Sequence, residues 1–170
     1  VNGKVVTKLG SKVDNTDKVV VDGVKLKKEE KEYYIFNKPR GVVTTTSDDK
    51  GRKTVMDFFD TNKRLYPVGR LDYDTTGLLL ITNDGDFANL MMHPSNKVDK
   101  TYIVKLEGII SGYAIKKIKK GVCVDGDIVY PLKVKLKKKN NKTRTCIVEI
   151  VIHEGKNHQV KKMFEAVGLR

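Results

Sequence analysis

The chain has 170 residues, room for one domain or one domain with a small module, and its 39% hydrophobic content is too high for a disordered polypeptide. Lys and Arg number 34 against 21 Asp and Glu, a net charge of +13, which points to a polyanionic partner, most simply nucleic acid. Two cysteines without metal-type spacing, no apolar run of membrane length and no signal peptide exclude a disulfide scaffold and a membrane-spanning helix, so a reduced, cytoplasmic setting is expected.

Residues 1–28 carry two short β-branched runs, Val5-Val6 and Val19-Val20-Val21, beside the turn pairs Asn2-Gly3 and Asp22-Gly23. This predicts β-hairpins too small to bury a core alone. Val1–Lys4 and Asp17–Gly23 resemble the second half of an S4-type RNA-binding module, without its helical first half. The charge run Lys27–Glu32 has no hydrophobic face and reads as a linker. Tyr33–Asn37 is an aromatic strand, and Pro39 and Gly41 force a turn that carries Lys38 and Arg40, two side chains able to meet phosphates. A strand pattern resumes over Val42–Thr45, and Val55, Phe58 and Phe59 suit a short helix capped by Thr54.

The stretch Gly69-Arg70-Leu71-Asp72-Tyr73-Asp74-Thr75-Thr76-Gly77 stands directly before Leu78-Leu79-Leu80-Ile81. Four aliphatics bounded by turn residues predict a strand buried on both faces. A carboxylate on the loop before such a strand has a rigid support, so Asp72 is the first catalytic candidate. Asp84 or Asp86 caps a following helix bearing Phe87, Leu90 and Met91, which ends at Pro94. Lys100–Leu106 alternates as a half-buried strand. Ser111 caps a lysine-rich helix closed by Gly121. Val122–Lys137 reads as strand, turn at Asp125-Gly126-Asp127, and strand; Lys137–Lys142 is a basic hairpin tip and Thr143–Ile152 the returning strand. Asn157 caps a last helix with a buried stripe of Val160, Met163, Phe164 and Val167. The chain starts without Met and stops just after this helix, as expected of a fragment. Antiparallel strand signals with interspersed helices predict an α+β fold. No glycine-rich phosphate loop is present, so no nucleotide cofactor is expected. Residues 95–170 hold 18 Lys and Arg against 7 Asp and Glu, so the basic character lies in the second half.

Asp72, Asp74, Asp84 and Asp86 crowd one region. A calcium loop starting at Asp72 fails, because its twelfth position is Asn83 and Leu78–Leu80 fill its middle. A carboxylate-bound metal nuclease is weakened because Asp74, Asp84 and Asp86 are assigned to turns and caps, and the three histidines lack ligand spacing. The remaining reading is Asp72 alone, acting on nucleic acid. It needs a nearby cation, and Arg70, Lys161 and Lys162 are available, with His158-Gln159 opening the last helix. Tyr102, on a half-buried strand, can stack on a base or move a proton.

Three motifs, YYIFNKPRGVVTT (33–45), VGRLDYDTTGLLLITNDGDF (68–87) and KTYIVKL (100–106) with EGKNHQVKKMFEAVG (154–168), are together similar to the RsuA-type ribosomal RNA pseudouridine synthases, over about residues 33–170. The resemblance implies a mixed, mostly antiparallel sheet with flanking helices and a central cleft. It divides the chain into a partial S4-like module and linker (1–31) and a catalytic domain (32–170) lacking its C-terminal end. It also implies a cofactor-free, metal-free monomer that isomerises a uridine of ribosomal RNA. Its nucleophile aligns on Asp72, its base-stacking tyrosine on Tyr102, and its aspartate-pairing cation on Lys161, where many relatives have Arg. Arg70, Lys38, Arg40, His158 and Gln159 are the expected RNA contacts. The aspartate either attacks C1′ or removes the 2′ proton to give a glycal. His158, Lys161 and the stretch KKGVCVDGDIVYPLKV lie closer to small-subunit (16S) than to large-subunit (23S) enzymes. A 16S target is therefore expected, with a 23S target or a non-catalytic ribosome-assembly factor as alternatives.

Overall fold

The computed structural model describes residues 1–170. Its strands are β1 (Val20–Val21), β2 (Val24–Lys25), β3 (Tyr33–Lys38), β4 (Tyr66–Val68), β5 (Gly77–Thr82), β6 (Lys100–Glu107), β7 (Val122–Val124), β8 (Asp127–Val129), β9 (Lys133–Asn140) and β10 (Thr145–Ile152). The helices are α1 (Gly85–Met92), α2 (Gly112–Lys119) and α3 (Gln159–Glu165). Two three-stranded antiparallel sheets, ordered β3-β5-β4 and β6-β10-β9, form the framework, with hairpins β1-β2 and β7-β8 beside them. The expected α+β architecture of mostly antiparallel sheets and helices is the one observed.

The larger core forms because β10 alternates strictly. Cys146, Val148, Ile150 and Ile152 are buried while Thr145, Ile147, Glu149 and Val151 are only half-covered. Ile118 of α2 and Met163 and Phe164 of α3 close over that inner face. Each fully buried side chain of this size contributes roughly 1.5–3 kcal/mol. Ser111 caps α2 through Oγ, which accepts the Ala114 N–H at 3.1 Å. Gly121 ends α2 at φ +98°, where a Cβ would meet the Tyr130 ring at 2.5 Å. The smaller core, Val42, Val55, Leu65, Leu79 and Ile81, lies under β3-β5-β4. Thr54 and Asp57 form a capping box on the 3₁₀ turn Val55–Phe58.

Five local expectations are corrected. β5 is central in its sheet but buried on one face only: Leu79 and Ile81 are inside, whereas Leu78 is 67% exposed. Val5-Val6 forms no strand, and the only pairing in residues 1–28 is β1-β2 around Asp22-Gly23. Val42–Thr45 contributes a single bridge, Val43 to Thr54. The strand expected to run through to Lys137 breaks at Tyr130-Pro131-Leu132, separating β8 from β9, since Pro131 offers no ladder N–H. On α1 the buried side chain is Ala88, and Leu90 is exposed. No helix is long and apolar enough to cross a membrane.

Candidate active site

The loop before β5 is held by its backbone. Lys38, at the end of β3, is fully buried. Its ammonium donates to the carbonyls of Pro39 (3.0 Å), Asp72 (3.0 Å) and Thr75 (2.9 Å). Burial pushes the Lys38 ammonium down from its ordinary value, opposed by the Asp72 and Asp74 carboxylates. Thr44 Oγ1 donates to the Leu71 carbonyl at 2.7 Å, and the Gly41 N–H donates to the Tyr73 carbonyl at 2.9 Å. Gly41 sits at φ +74°, a left-handed conformation that favours glycine. With the backbone satisfied from both sides, the side chain of Asp72 stays one-third exposed.

Across the seam between the two cores, the start of α3 faces this loop. Lys161 Nζ lies 3.2 Å from Asp72 Oδ2 and 2.8 Å from Asp74 Oδ1. His158 Nε2 lies 3.6 Å from Asp72 Oδ1. The Asp74 carboxylate, then Asp72, raises the Lys161 ammonium above its ordinary value, and Lys161 lowers Asp74 in return. Tyr102, on β6, is half-buried; burial first, then the Asp72 charge, raises its phenol and favours the neutral hydroxyl. The arrangement presents a charged carboxylate beside a fixed cation and a neutral aromatic ring, in a place open to a ligand.

Of the residues singled out in the sequence, Asp72, Lys161 and His158 meet here, with Tyr102 close enough to feel the Asp72 charge. Arg70 and Arg40 are exposed, and Arg40 adds to the positive field on Asp74. Two expected RNA contacts are corrected. Lys38 is spent on three carbonyls and presents nothing to a phosphate. Gln159 is buried; its Nε2 donates to Glu154 at 2.8 Å and its Oε1 accepts the Lys156 N–H at 2.9 Å. Lys162 points away, to Asp125 on the β7-β8 turn at 2.6 Å. The residue that opens α3 is His158, at φ +52°, not Asn157. Asp74, assigned from sequence to a turn, belongs to the site as the shorter contact of Lys161. Asp84 caps α1, accepting the N–H groups of Asp86 and Phe87, as expected. No three His, Cys, Asp or Glu side chains converge on a metal-sized site.

Residues 32–166 match the family described as RNA pseudouridylate synthase. Over 169 residues the chain is 50% identical to the ribosomal large subunit pseudouridine synthase B of Bacillus subtilis (strain 168), covering 99% of this chain and 69% of that protein. The protein of the same name from Pseudomonas aeruginosa is 36% identical over 178 residues, 99% of this chain and 45% of its own length. A solved structure described as a pseudouridylate synthase superposes with a TM-score of 0.72 at 32% identity, over 99% of this chain and 72% of that one.

Proposed function

The chain belongs to the RNA pseudouridylate synthase family, and on that premise we propose that it isomerises a uridine of ribosomal RNA to pseudouridine with Asp72 as the reacting carboxylate. The observation that carries this reading is the contact across the seam: Asp72, on a clamped loop of one half, meets Lys161 from α3 of the other at 3.2 Å. The N1–C1′ glycosidic bond breaks, the freed uracil turns, and C5 bonds to C1′ of the ribose, breaking any Asp72–C1′ bond; C5 then gives up its proton and N1 takes one up, so the product is an isomer of the substrate. Attack of Asp72 on C1′, or removal of the 2′ proton, both require an ionised carboxylate, which the Lys161 ammonium stabilises. The target nucleotide must leave its stack to reach this depth. Tyr102 offers a neutral ring on which the flipped uracil stacks. Arg70 and Arg40, exposed beside the loop, and His158 are the groups free to meet the RNA backbone.

We assign the target to the large-subunit RNA. The small-subunit expectation leaned mainly on His158 and Lys161, whereas two relatives named for the large subunit align with 99% of this chain, one at 50% identity. A ribosomal substrate also fits a cytoplasmic enzyme.

Asp72→Asn is isosteric and is expected to fold and to bind rRNA normally while product formation falls at least about 10³-fold. Pseudouridine formation by the variant at near wild-type rate would rule Asp72 out. Pseudouridine mapping in 23S and 16S rRNA from cells with and without the gene decides the target subunit.

A further inference from the structure

The sheet β6-β10-β9 carries α2 and α3 on one face only. On the other, β9 projects Lys133, Lys135 and Lys137, all exposed, while Val134 and Leu136 turn inward. Residues 133–144 hold seven Lys and Arg and no Asp or Glu. Two carboxylates share the face: Glu107 at the end of β6, opposite Thr145 and in no ion pair, and Glu149 on β10, 2.8 Å from Lys133 and 3.2 Å from Lys137. Both lysines hold the Glu149 carboxyl below the ordinary value. Lys105, Lys135, Lys138, Lys139, Lys142 and Arg144 have no acidic partner within ion-pair distance. The register continues this charge across the sheet, placing Lys138 opposite Ile147 and Ile147 opposite Lys105. By strand alternation Tyr102 and its neighbour Ile103 point to opposite faces, so this surface is distinct from the Asp72 site.

We propose that this face docks the phosphate backbone of a second RNA segment, separate from the strand that delivers the target uridine. The inference rests on the reading of the chain as an RNA-modifying enzyme. Lysines two residues apart stand roughly 7 Å from one another along the strand, so neighbouring ammoniums can meet different phosphates of one backbone. Lysine ammoniums are point charges that suit phosphates without reading base edges. Glu149 pairs with two of the lysines and leaves the others free. The face therefore supplies affinity and orientation for a large folded RNA.

The test compares two triple variants, Lys105→Gln/Lys135→Gln/Lys138→Gln on this face and Lys116→Gln/Lys119→Gln/Lys120→Gln on α2, which remove equal charge. Binding to a transcribed large-subunit rRNA fragment is measured between about 50 and 200 mM salt. Thermal melting verifies that both variants fold. The first triple is expected to weaken binding roughly tenfold or more and to reduce the slope of log affinity against log salt by about 2–3. The α2 triple is expected to change the slope by less than about 1. An unchanged slope in the first triple, or equal losses in both, overturns the proposal. A wild-type protein that forms no pseudouridine on any rRNA sinks the catalytic reading instead, and leaves the slope comparison intact.

Discussion

Lys161 holds two carboxylates at once, and its geometry decides what Asp72 can do. The contact to Asp74 is the shorter, 2.8 Å against 3.2 Å, so Asp74 fixes the ammonium and Asp72 shares it. The shift on Lys161 is upward. A raised ammonium keeps its charge below its ordinary value and holds it further into the alkaline range, so no loss of activity from Lys161 is expected between about pH 7 and 10. Lys161→Met removes the charge and is expected to slow single-turnover pseudouridine formation by roughly 10²-fold, the scale of losing one preorganised electrostatic partner. Lys161→Arg is expected to retain most activity, because a guanidinium fork can span both carboxylates. Single-turnover rates of both variants across that pH range check the argument; a near wild-type rate for Lys161→Met would refute it.

At the scale of elements, the end of the segment read as a linker is fastened to the catalytic half. The Glu32 N–H donates to Asn83 Oδ1 at 2.8 Å, and Thr82 Oγ1 donates to the Glu32 carbonyl at 2.5 Å. Asp84, while capping α1, also accepts the Tyr33 hydroxyl at 2.5 Å and pairs with Lys31 at 2.8 Å. Lys31 and then Tyr33 hold the Asp84 carboxyl well below the usual carboxylate range. A carboxyl depressed in the folded state contributes stability that is present above its unfolded value, near 3.8, and is lost as pH falls through the folded one. Asp84→Asn is therefore expected to lower Tm by roughly 5 °C at pH 7, with the difference from wild type shrinking below about pH 4. Melting curves at several pH values would show whether it does. These contacts also mark what local sequence conveys. The caps at Ser111, Thr54 and Asp84 and the alternation of β6 were legible because they depend on residues a few positions apart. Lys38 was not: a lysine beside a turn reads as solvated, and its burial is decided by carbonyls 34 and 37 residues away. Asp74 was passed over for the same reason, since its partner lies 87 residues downstream. Asp72 stood out because its loop and its strand adjoin in sequence, while its pairing with Lys161 was visible only through family resemblance.

The whole molecule is two packed halves and a satellite. The halves have separate cores, one under β3-β5-β4 and one between β6-β10-β9 and its helices, and the site takes Asp72 and Asp74 from the first and Lys161 and His158 from the second. A change in how the halves sit would alter the distance from Lys161 to Asp72 before it disturbed either core. Residues 1–28 stand apart from both. Their side-chain hydrogen bonds are internal, from Asn2 to Asp17 at 2.7 Å, from the Lys18 N–H to Asn2 at 2.7 Å and from Lys28 to Asn15 at 2.9 Å. Val5, Leu9, Val24 and Leu26 are exposed, so this segment buries no core of its own or of its neighbours. The clasp on the catalytic half begins only at Glu29 and Glu30, which meet Asn83. Removing residues 1–28 is thus expected to leave Tm within about 2 °C of the full chain, since the removed contacts belong to a unit that opens independently. The same segment carries seven Lys against three Asp, so its loss is expected to weaken rRNA binding and reduce its salt dependence. The rate at saturating RNA is expected to stay within about threefold, because no group at Asp72 has moved. A fall in Tm of roughly 10 °C or more would instead show that these residues brace the catalytic half.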